Sequence, residues 1–81
     1  MNESMVERDW KLLEVYGSLD SLNERSGVGI WDEQVHEMIE ISGEELLARK
    51  IKLQDMGFLD LSSSVAVLTS KGRLALMDKK E

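Results

Sequence analysis

Apolar residues recur every three or four positions near the start of this chain, which is the spacing of an amphipathic helix. Ser4 and Glu7, three residues apart, are typical of a capping box at a helix start. The pattern predicts a first helix over about 5–17 that ends near Gly17. A loop over 18–31 follows, punctuated by glycine, serine and asparagine, in which two leucines could add a short helical turn.

Two further helices are predicted close together in the middle of the chain. Asp32 can cap a helix over about 32–40, which is apolar on one side and rich in glutamate on the other. Ser42 and Glu45 have capping-box spacing and predict a third helix over about 43–56. Because only a few residues separate them, these two helices should form a helix-turn-helix. The inner side of the third helix is expected to consist of Leu46, Leu53 and Met56, widened by Leu47 and Ile51.

The pattern changes after Gly57, since glycine accepts the left-handed backbone conformation that stops a helix. Two short apolar runs joined by serines then predict a β-hairpin over 58–69. Thr69 or Ser70 is placed to cap a last helix over about 70–80. Lysines at the C-terminal end of this helix lie where positive charge interacts favourably with the helix dipole.

The composition fits a single domain over residues 1–81, of α+β class and mainly helical. Hydrophobic residues make up 42% and charged residues 32% of the chain, which is enough apolar material for a core. No apolar run is long enough to span a membrane, and the acidic N-terminus is unlike a secretory signal. A cytoplasmic location without membrane contact is therefore expected.

Residues that commonly carry chemistry are few in this sequence. It contains no cysteine and a single histidine, His36, so we expect no disulfide, no metal site and no cofactor. It also lacks a serine–histidine–aspartate arrangement, a paired-carboxylate motif and a phosphate-binding loop. The sequence therefore predicts a protein that is not an enzyme.

Charge is divided unevenly along the chain, whose net charge is −6. Residues 1–45 carry 12 acidic and 3 basic side chains, whereas residues 46–81 carry 4 acidic and 7 basic ones. A locally positive surface on an acidic body can still bind phosphates, while the acidic remainder weakens non-specific binding to nucleic acid. The two halves are therefore expected to face different partners or each other.

Two segments in the second half carry a resemblance to a known family. Residues 53–59 (LQDMGFL) look like the end of a recognition helix with the glycine that leads into a wing. Residues 68–76 (LTSKGRLAL) are similar to the leucine-threonine-x-lysine-glycine-arginine element that follows the second wing strand in many winged helix-turn-helix proteins. From Trp31 to Lys80 the chain resembles that family, especially small archaeal and viral, PadR-like and multiple-antibiotic-resistance-like transcriptional regulators.

The resemblance implies three helices, a β-hairpin wing and a C-terminal helix, in a regulator that binds duplex DNA as a dimer. The third helix would enter the major groove, and the wing would touch the flanking backbone or minor groove. The residues expected at the DNA are Gly43, Glu44, Ala48, Arg49, Lys50, Lys52, Ser63, Ser64, Lys71 and Arg73. The terminal helices carry more apolar residues than one small core can bury, so a homodimer is expected. Its interface is predicted to include Trp10, Leu13, Leu76 and Met77.

The charge pattern supports a second hypothesis from a different class. The wing tip contains no arginine or lysine, and Glu44 and Glu45 lie where many relatives place polar or basic residues. The second helix presents further glutamates, Glu33, Glu37 and Glu40. Basic residues of the third helix could pair with its own carboxylates at helical spacing. The alternative is therefore a winged-helix module that binds a basic protein through an acidic face, as an antirepressor or a subunit of a nucleic-acid machine.

Overall fold

The chain folds as a mainly helical α+β domain with a small antiparallel sheet, as its pattern predicts. The computed structural model describes residues 5–22, 29–62 and 65–80. The elements in chain order are α1 (Glu7–Leu22), α2 (Asp32–Met38), α3 (Gly43–Asp55), β1 (Leu59–Asp60), β2 (Val67–Leu68) and α4 (Ser70–Lys80). β1 and β2 pair antiparallel, with Leu59 opposite Leu68 and Asp60 opposite Val67.

α1 continues through Gly17 to Leu22, so the predicted helix end near Gly17 and the loop from residue 18 were wrong. A Cβ atom on Gly17 would lie 2.7 Å from Leu76 Cδ1, so the end of the Leu76 side chain packs directly on this glycine. Leu19 and Asp20, beyond the glycine, are buried. This packing outweighs the lower helix propensity of glycine, which is about 1 kcal/mol relative to alanine.

α2 begins at the predicted position but is capped differently. Trp31, not Asp32, occupies the N-cap position in an extended conformation. The side-chain oxygen of Gln34 accepts a hydrogen bond from Trp31 N at 2.9 Å, and this satisfies the backbone donor at the helix start. Asp32 lies in the first turn, where its negative charge interacts favourably with the helix dipole. The helix ends at Met38 rather than at residue 40.

α3 has the serine cap and the glycine ending that its sequence predicts, but not the full capping box, because the Glu45 carboxylate pairs with Arg8 and Arg49. Ser42 Oγ accepts a hydrogen bond from Glu45 N at 3.1 Å, which confirms the serine cap. Gly57 has a φ of 88°, and Phe58 N donates to Leu53 O at 2.9 Å. This left-handed ending satisfies carbonyl groups of the last turn and sends the chain into β1.

The sheet is shorter than the hairpin predicted over 58–69 and includes a contribution that the sequence did not reveal. Ile30 N donates to Ala66 O at 2.7 Å, and Ala66 N donates to Ile30 O at 3.1 Å. This antiparallel bridge places Ile30 beside the start of β2, although it falls in the predicted loop. A single bridged residue is too short to produce an alternating pattern.

Thr69 is the cap of α4, which settles the choice between Thr69 and Ser70. Its hydroxyl accepts a hydrogen bond from Gly72 N at 3.0 Å and donates one to Gly57 O at 2.7 Å. One side chain therefore joins the end of α3 to the start of α4.

The core lies between α1 and the layer formed by α3 and the strands. Its largest fully buried hydrophobic side chains are Tyr16, Leu12, Leu13, Ile30, Leu46, Leu53, Leu68 and Val35.

Candidate functional site

The basic side chains of α3 that were predicted to contact DNA are held by carboxylates of the same chain. Arg49 Nη1 lies 2.6 Å from Asp9 Oδ1, and Lys52 Nζ lies 2.6 Å from Asp9 Oδ2. Arg49 Nε also lies 2.7 Å from Glu45 Oε2, an i,i+4 pair of the kind that the sequence allows. Since Asp9 belongs to α1 and its side chain is 0% exposed, Arg49 and Lys52 reach across to α1.

Asp9 is a buried carboxylate with several hydrogen-bond donors. Burial by itself would raise its pKa, but hydrogen bonds from Lys52, from Val6 N at 3.1 Å and from Arg49 outweigh burial. The pKa of Asp9 is therefore below its usual value, and the carboxylate is ionised at neutral pH.

Arg8 completes the cluster from the side of α1. Its Nε lies 2.8 Å from Glu45 Oε2, and its Nη2 donates to Glu40 O at 2.7 Å. Hydrogen bonds from Arg8 and then from Arg49 lower the pKa of Glu45 to about 2. We call the set Arg8, Asp9, Glu45, Arg49 and Lys52 the α1–α3 ion-pair network.

Lys50, the remaining cation of α3, pairs with α2. Its Nζ lies 2.9 Å from Asp32 Oδ1, and its side chain is only 15% exposed. The pair places the N-terminus of α2 beside the middle of α3. Each of the basic side chains of α3, Arg49, Lys50 and Lys52, therefore binds a carboxylate of its own chain.

The predicted contacts at the start of α4 differ from each other. Arg73 Nε lies 3.1 Å from Asp20 Oδ2, and its Nη2 donates to Leu68 O at 3.3 Å, so Arg73 holds α4 against α1 and the sheet. Lys71 is exposed, and its Nζ lies 5.8 Å from the centroid of the Phe58 ring. Within the described parts of the chain Lys71 forms no ion pair.

Apart from Gly43 and Gln54, the residues of α3 that face solvent are apolar or acidic. Leu47 is 56% exposed and Ile51 is 47% exposed, so their expected place on the inner side of the helix was wrong. Leu46 and Leu53 fill the core from this helix. Gly43 is also exposed, at the helix start, whereas Ser63 and Ser64 lie outside the described residues. We call the exposed residues at three- and four-residue spacing the α3 outer face: Glu44, Leu47, Ala48, Ile51 and Asp55.

The adjoining surface of α2 has the same character. Glu33, Glu37 and Glu40 are exposed, and none of their carboxylates forms an ion pair within the described residues. Trp31 is 54% exposed and Met38 is 46% exposed. Sequence reasoning found the glutamates but not these apolar neighbours, because a short amphipathic helix does not reveal which apolar residues the core accepts.

The residues predicted for a dimer contact are only partly at the surface. Leu13 is fully buried within the domain, so its predicted place in an interface was wrong. Trp10 is half-buried and lies under Lys79, whose Nζ is 5.6 Å from its ring centroid. Leu76 is half-buried beside Gly17, and Met77 is 62% exposed.

The described residues contain no group of three or more His, Cys, Asp or Glu side chains that could hold a metal ion. They also form no helix with the length and apolar character needed to cross a membrane. Comparisons of the chain with protein-family models, curated proteins and solved structures gave no match.

Proposed function

We propose that this chain is a winged helix-turn-helix module that binds a protein partner through the α3 outer face and the acidic surface of α2. The order of elements supports this fold: a helix, the single bridged residue Ile30, two closely spaced helices, a hairpin and a closing helix. In this arrangement α3 corresponds to the recognition helix and the hairpin to the wing.

The ion pairs that the α3 cations form within the chain support a protein partner rather than DNA. Duplex DNA binds through cations that neutralise its phosphates. To reach DNA, Arg49 and Lys52 would have to leave Asp9, which is buried and has both oxygens engaged by them. Leaving one member of a buried ion pair without its partner costs about 3–5 kcal/mol. The outward residues Glu44 and Asp55 would add repulsion from phosphate.

The same surface is suited to a basic protein segment with apolar side chains. Leu47 and Ile51 are one helical turn apart and both about half exposed, so a partner can bury them together. Burying such a side chain fully contributes about 1.5–3 kcal/mol, and these two are already partly covered. Glu44 lies one turn before Leu47 on the same helix, and Glu33 and Glu37 are exposed on α2; none of the three forms an ion pair within the described residues. We therefore expect the partner to present apolar residues flanked by lysine or arginine.

The test is a comparison of variants on a purified partner. A candidate is captured from the native host, purified, and titrated against the wild-type chain by calorimetry. Leu47→Asp with Ile51→Asp should weaken binding by at least tenfold, because two central apolar contacts become charged. Glu33→Lys with Glu37→Lys should weaken it and reduce its dependence on salt.

Leu74→Asp on α4 is the matched control, since Leu74 is also an exposed leucine at 58% exposure. It should bind as the wild type does. If the α3 and α2 variants retain wild-type affinity for each partner that is captured, the proposal is rejected.

Duplex DNA is the second candidate, favoured by the exposed Lys71 beside the hairpin and by the exposed start of α3. Selection from a random duplex pool at low salt tests it directly. If DNA is the ligand, affinity falls steeply with salt, Lys71→Ala weakens it, and Arg49→Ala with Lys52→Ala reduces the salt slope by about two. If no duplex is retained at low salt, DNA is excluded.

A further inference from the structure

The α3 outer face continues onto the elements at both of its sides, and the first of these is the start of α1. Asp9 Oδ2 accepts hydrogen bonds from Lys52 Nζ at 2.6 Å and from Val6 N at 3.1 Å, so Val6 lies beside α3. Val6 is 48% exposed. Ala48 is exposed on α3 one turn before Lys52 and on the same side of the helix. The outer face therefore continues toward Val6.

The N-terminus of α2 extends the outer face on the other side. Lys50 lies three residues after Leu47 and therefore beside it on α3, and its Nζ is 2.9 Å from Asp32 Oδ1. Trp31 directly precedes Asp32 and is 54% exposed. The backbone at Trp31 is extended and the preceding Ile30 is buried, so the indole points away from the core. Leu47 and Trp31 are thus linked across α3 and α2 by the Lys50–Asp32 pair.

We call the five exposed apolar residues that follow one another across these three elements the apolar belt: Val6, Ala48, Ile51, Leu47 and Trp31. The lysines beside the belt are paired, Lys52 with Asp9 and Lys50 with Asp32. Their side chains are only 25% and 15% exposed, so they project little into solvent. A partner that lies on the belt therefore meets apolar side chains and neutralised ion pairs.

We propose that a basic amphipathic α-helix of the partner lies across α3 along the apolar belt, from Val6 to Trp31. This inference rests on the proposed function and names the structure of the partner segment. Its basic character follows from Glu33, close to Trp31 in the chain, and Glu44, one turn before Leu47. Neither carboxylate forms an ion pair within the described residues, so lysine or arginine flanking the apolar side of the partner helix can pair with them.

A helix suits this surface better than an extended strand, because the belt offers no backbone groups for a strand to pair with. Val6 N donates to Asp9, and Val6 O accepts from Trp10 N. Trp31 N donates to Gln34 Oε1, and Trp31 O accepts from Gln34 N. The remaining residues of the belt lie within α3. A strand laid here would leave its own backbone groups unpaired, whereas a helix satisfies them internally.

The width of the belt sets the length of the partner helix. Packed helices have axes about 8–10 Å apart, so a path from α1 across α3 to α2 covers about 16–20 Å. A helix rises 1.5 Å per residue, so about 11–13 residues are needed. This is about three turns, with apolar residues repeating every three or four positions along one side.

A synthetic peptide of about 16 residues tests the inference, with leucines at three- and four-residue spacing and lysine and alanine elsewhere. The fluorescently labelled peptide is titrated with the full chain and its anisotropy is measured. Circular dichroism should show that the peptide becomes helical on binding. A proline at the centre of the same peptide breaks the helix without changing its charge, and it should weaken binding by roughly 100-fold.

Serine variants of the chain test the two ends of the belt without changing its charge. Trp31→Ser should weaken binding by about tenfold, and serine is a favourable residue at this N-cap position. Val6→Ser removes a smaller contact and should weaken binding by about threefold. Leu74→Ser on α4 is the matched control and should bind as the wild type does. Leu47→Ser with Ile51→Ser changes the centre and should weaken binding by at least tenfold.

The outcomes separate this inference from the proposed function. If the central variant binds weakly while both end variants bind as the wild type does, the belt does not extend beyond α3 and the inference is overturned, although the proposed function stands. Equal affinity for the proline peptide also overturns it, because the ligand then need not be helical. Absence of peptide binding up to about 1 mM overturns it as well, since that limit corresponds to only about 4 kcal/mol of affinity. The proposed function itself fails only when the α3 and α2 variants keep wild-type affinity for the captured partner.

Discussion

Asp9→Asn tests the central feature of this structure, the buried carboxylate that joins α1 to α3. The substitution keeps the size of the side chain and removes its charge. It leaves Arg49 and Lys52 without the ionised oxygens that they contact at 2.6 Å. The amide oxygen can still accept the hydrogen bond from Val6 N, so the start of α1 should remain capped.

The expected loss of stability follows from the geometry. A hydrogen bond to a charged group contributes about 1.5–3 kcal/mol, and Asp9 accepts two of them from cations. The side chains of Arg49 and Lys52 are each 25% exposed, so the released cations regain part of their hydration. We therefore expect Asp9→Asn to lower the free energy of unfolding by about 2–4 kcal/mol, below the upper end for a fully buried pair.

Urea denaturation followed by circular dichroism measures this loss. Asp78→Asn is the matched control, because Asp78 is exposed and forms no ion pair within the described residues. The control should change stability by less than about 0.5 kcal/mol. If Asp9→Asn also stays within about 0.5 kcal/mol of wild type, the ion-pair network does not hold α1 on α3 and the reasoning fails.

Three further predictions concern the rest of the domain. The pKa values of Asp9 and Glu45 are lowered on folding, that of Glu45 to about 2. The stability that these two carboxylates contribute is therefore present above their unfolded pKa values near 4 and is lost as pH falls from about 5 toward 2. Urea denaturation across this pH range measures the loss, and a flat profile contradicts the prediction. Tyr16→Phe should leave stability unchanged or raise it by up to about 1 kcal/mol, because the buried Tyr16 hydroxyl has no hydrogen-bond partner among the described residues and burial raises its pKa. A clear loss of stability in thermal denaturation would show that the hydroxyl has a hydrogen-bond partner. Gly72→Ala should lower the free energy of unfolding by about 1–3 kcal/mol, because its Cβ would lie 2.5 Å from Phe58 O. Gly17→Ala should leave it nearly unchanged, because only the end of the Leu76 side chain must shift. Equal losses for the two variants in urea denaturation would refute this contrast.

The sequence predicted the parts of the fold that depend on local chemistry. Ser42 and Thr69 cap α3 and α4, and Gly57 adopts the left-handed conformation at the end of α3. Each of these features is decided by the backbone needs of a helix end and by side chains a few residues away. For this reason the boundaries of α3 and α4 were predicted within a residue or two.

The errors arose where distant residues decide the outcome. Glycine commonly ends a helix, but Gly17 lies inside α1, where Leu76 of α4 packs against it. Leu47 and Ile51 have the spacing of core residues, yet the core accepts Leu46 and Leu53 instead. In the sequence Asp9 lies 40 residues from Arg49 and 43 residues from Lys52. No local pattern reports such a pairing.

The ion-pair network also links the stability of the domain to what α3 can bind. Any ligand that recruits Arg49 and Lys52 must first remove them from Asp9, so the free energy that holds them there is subtracted from the affinity for that ligand. If that free energy is about 3 kcal/mol, affinity for DNA through these two cations falls roughly 100-fold. A ligand that contacts Leu47 and Ile51 incurs no such loss, because these side chains already face solvent. The same carboxylate that fastens α1 to α3 therefore biases the outward side of α3 toward apolar, protein-like contacts.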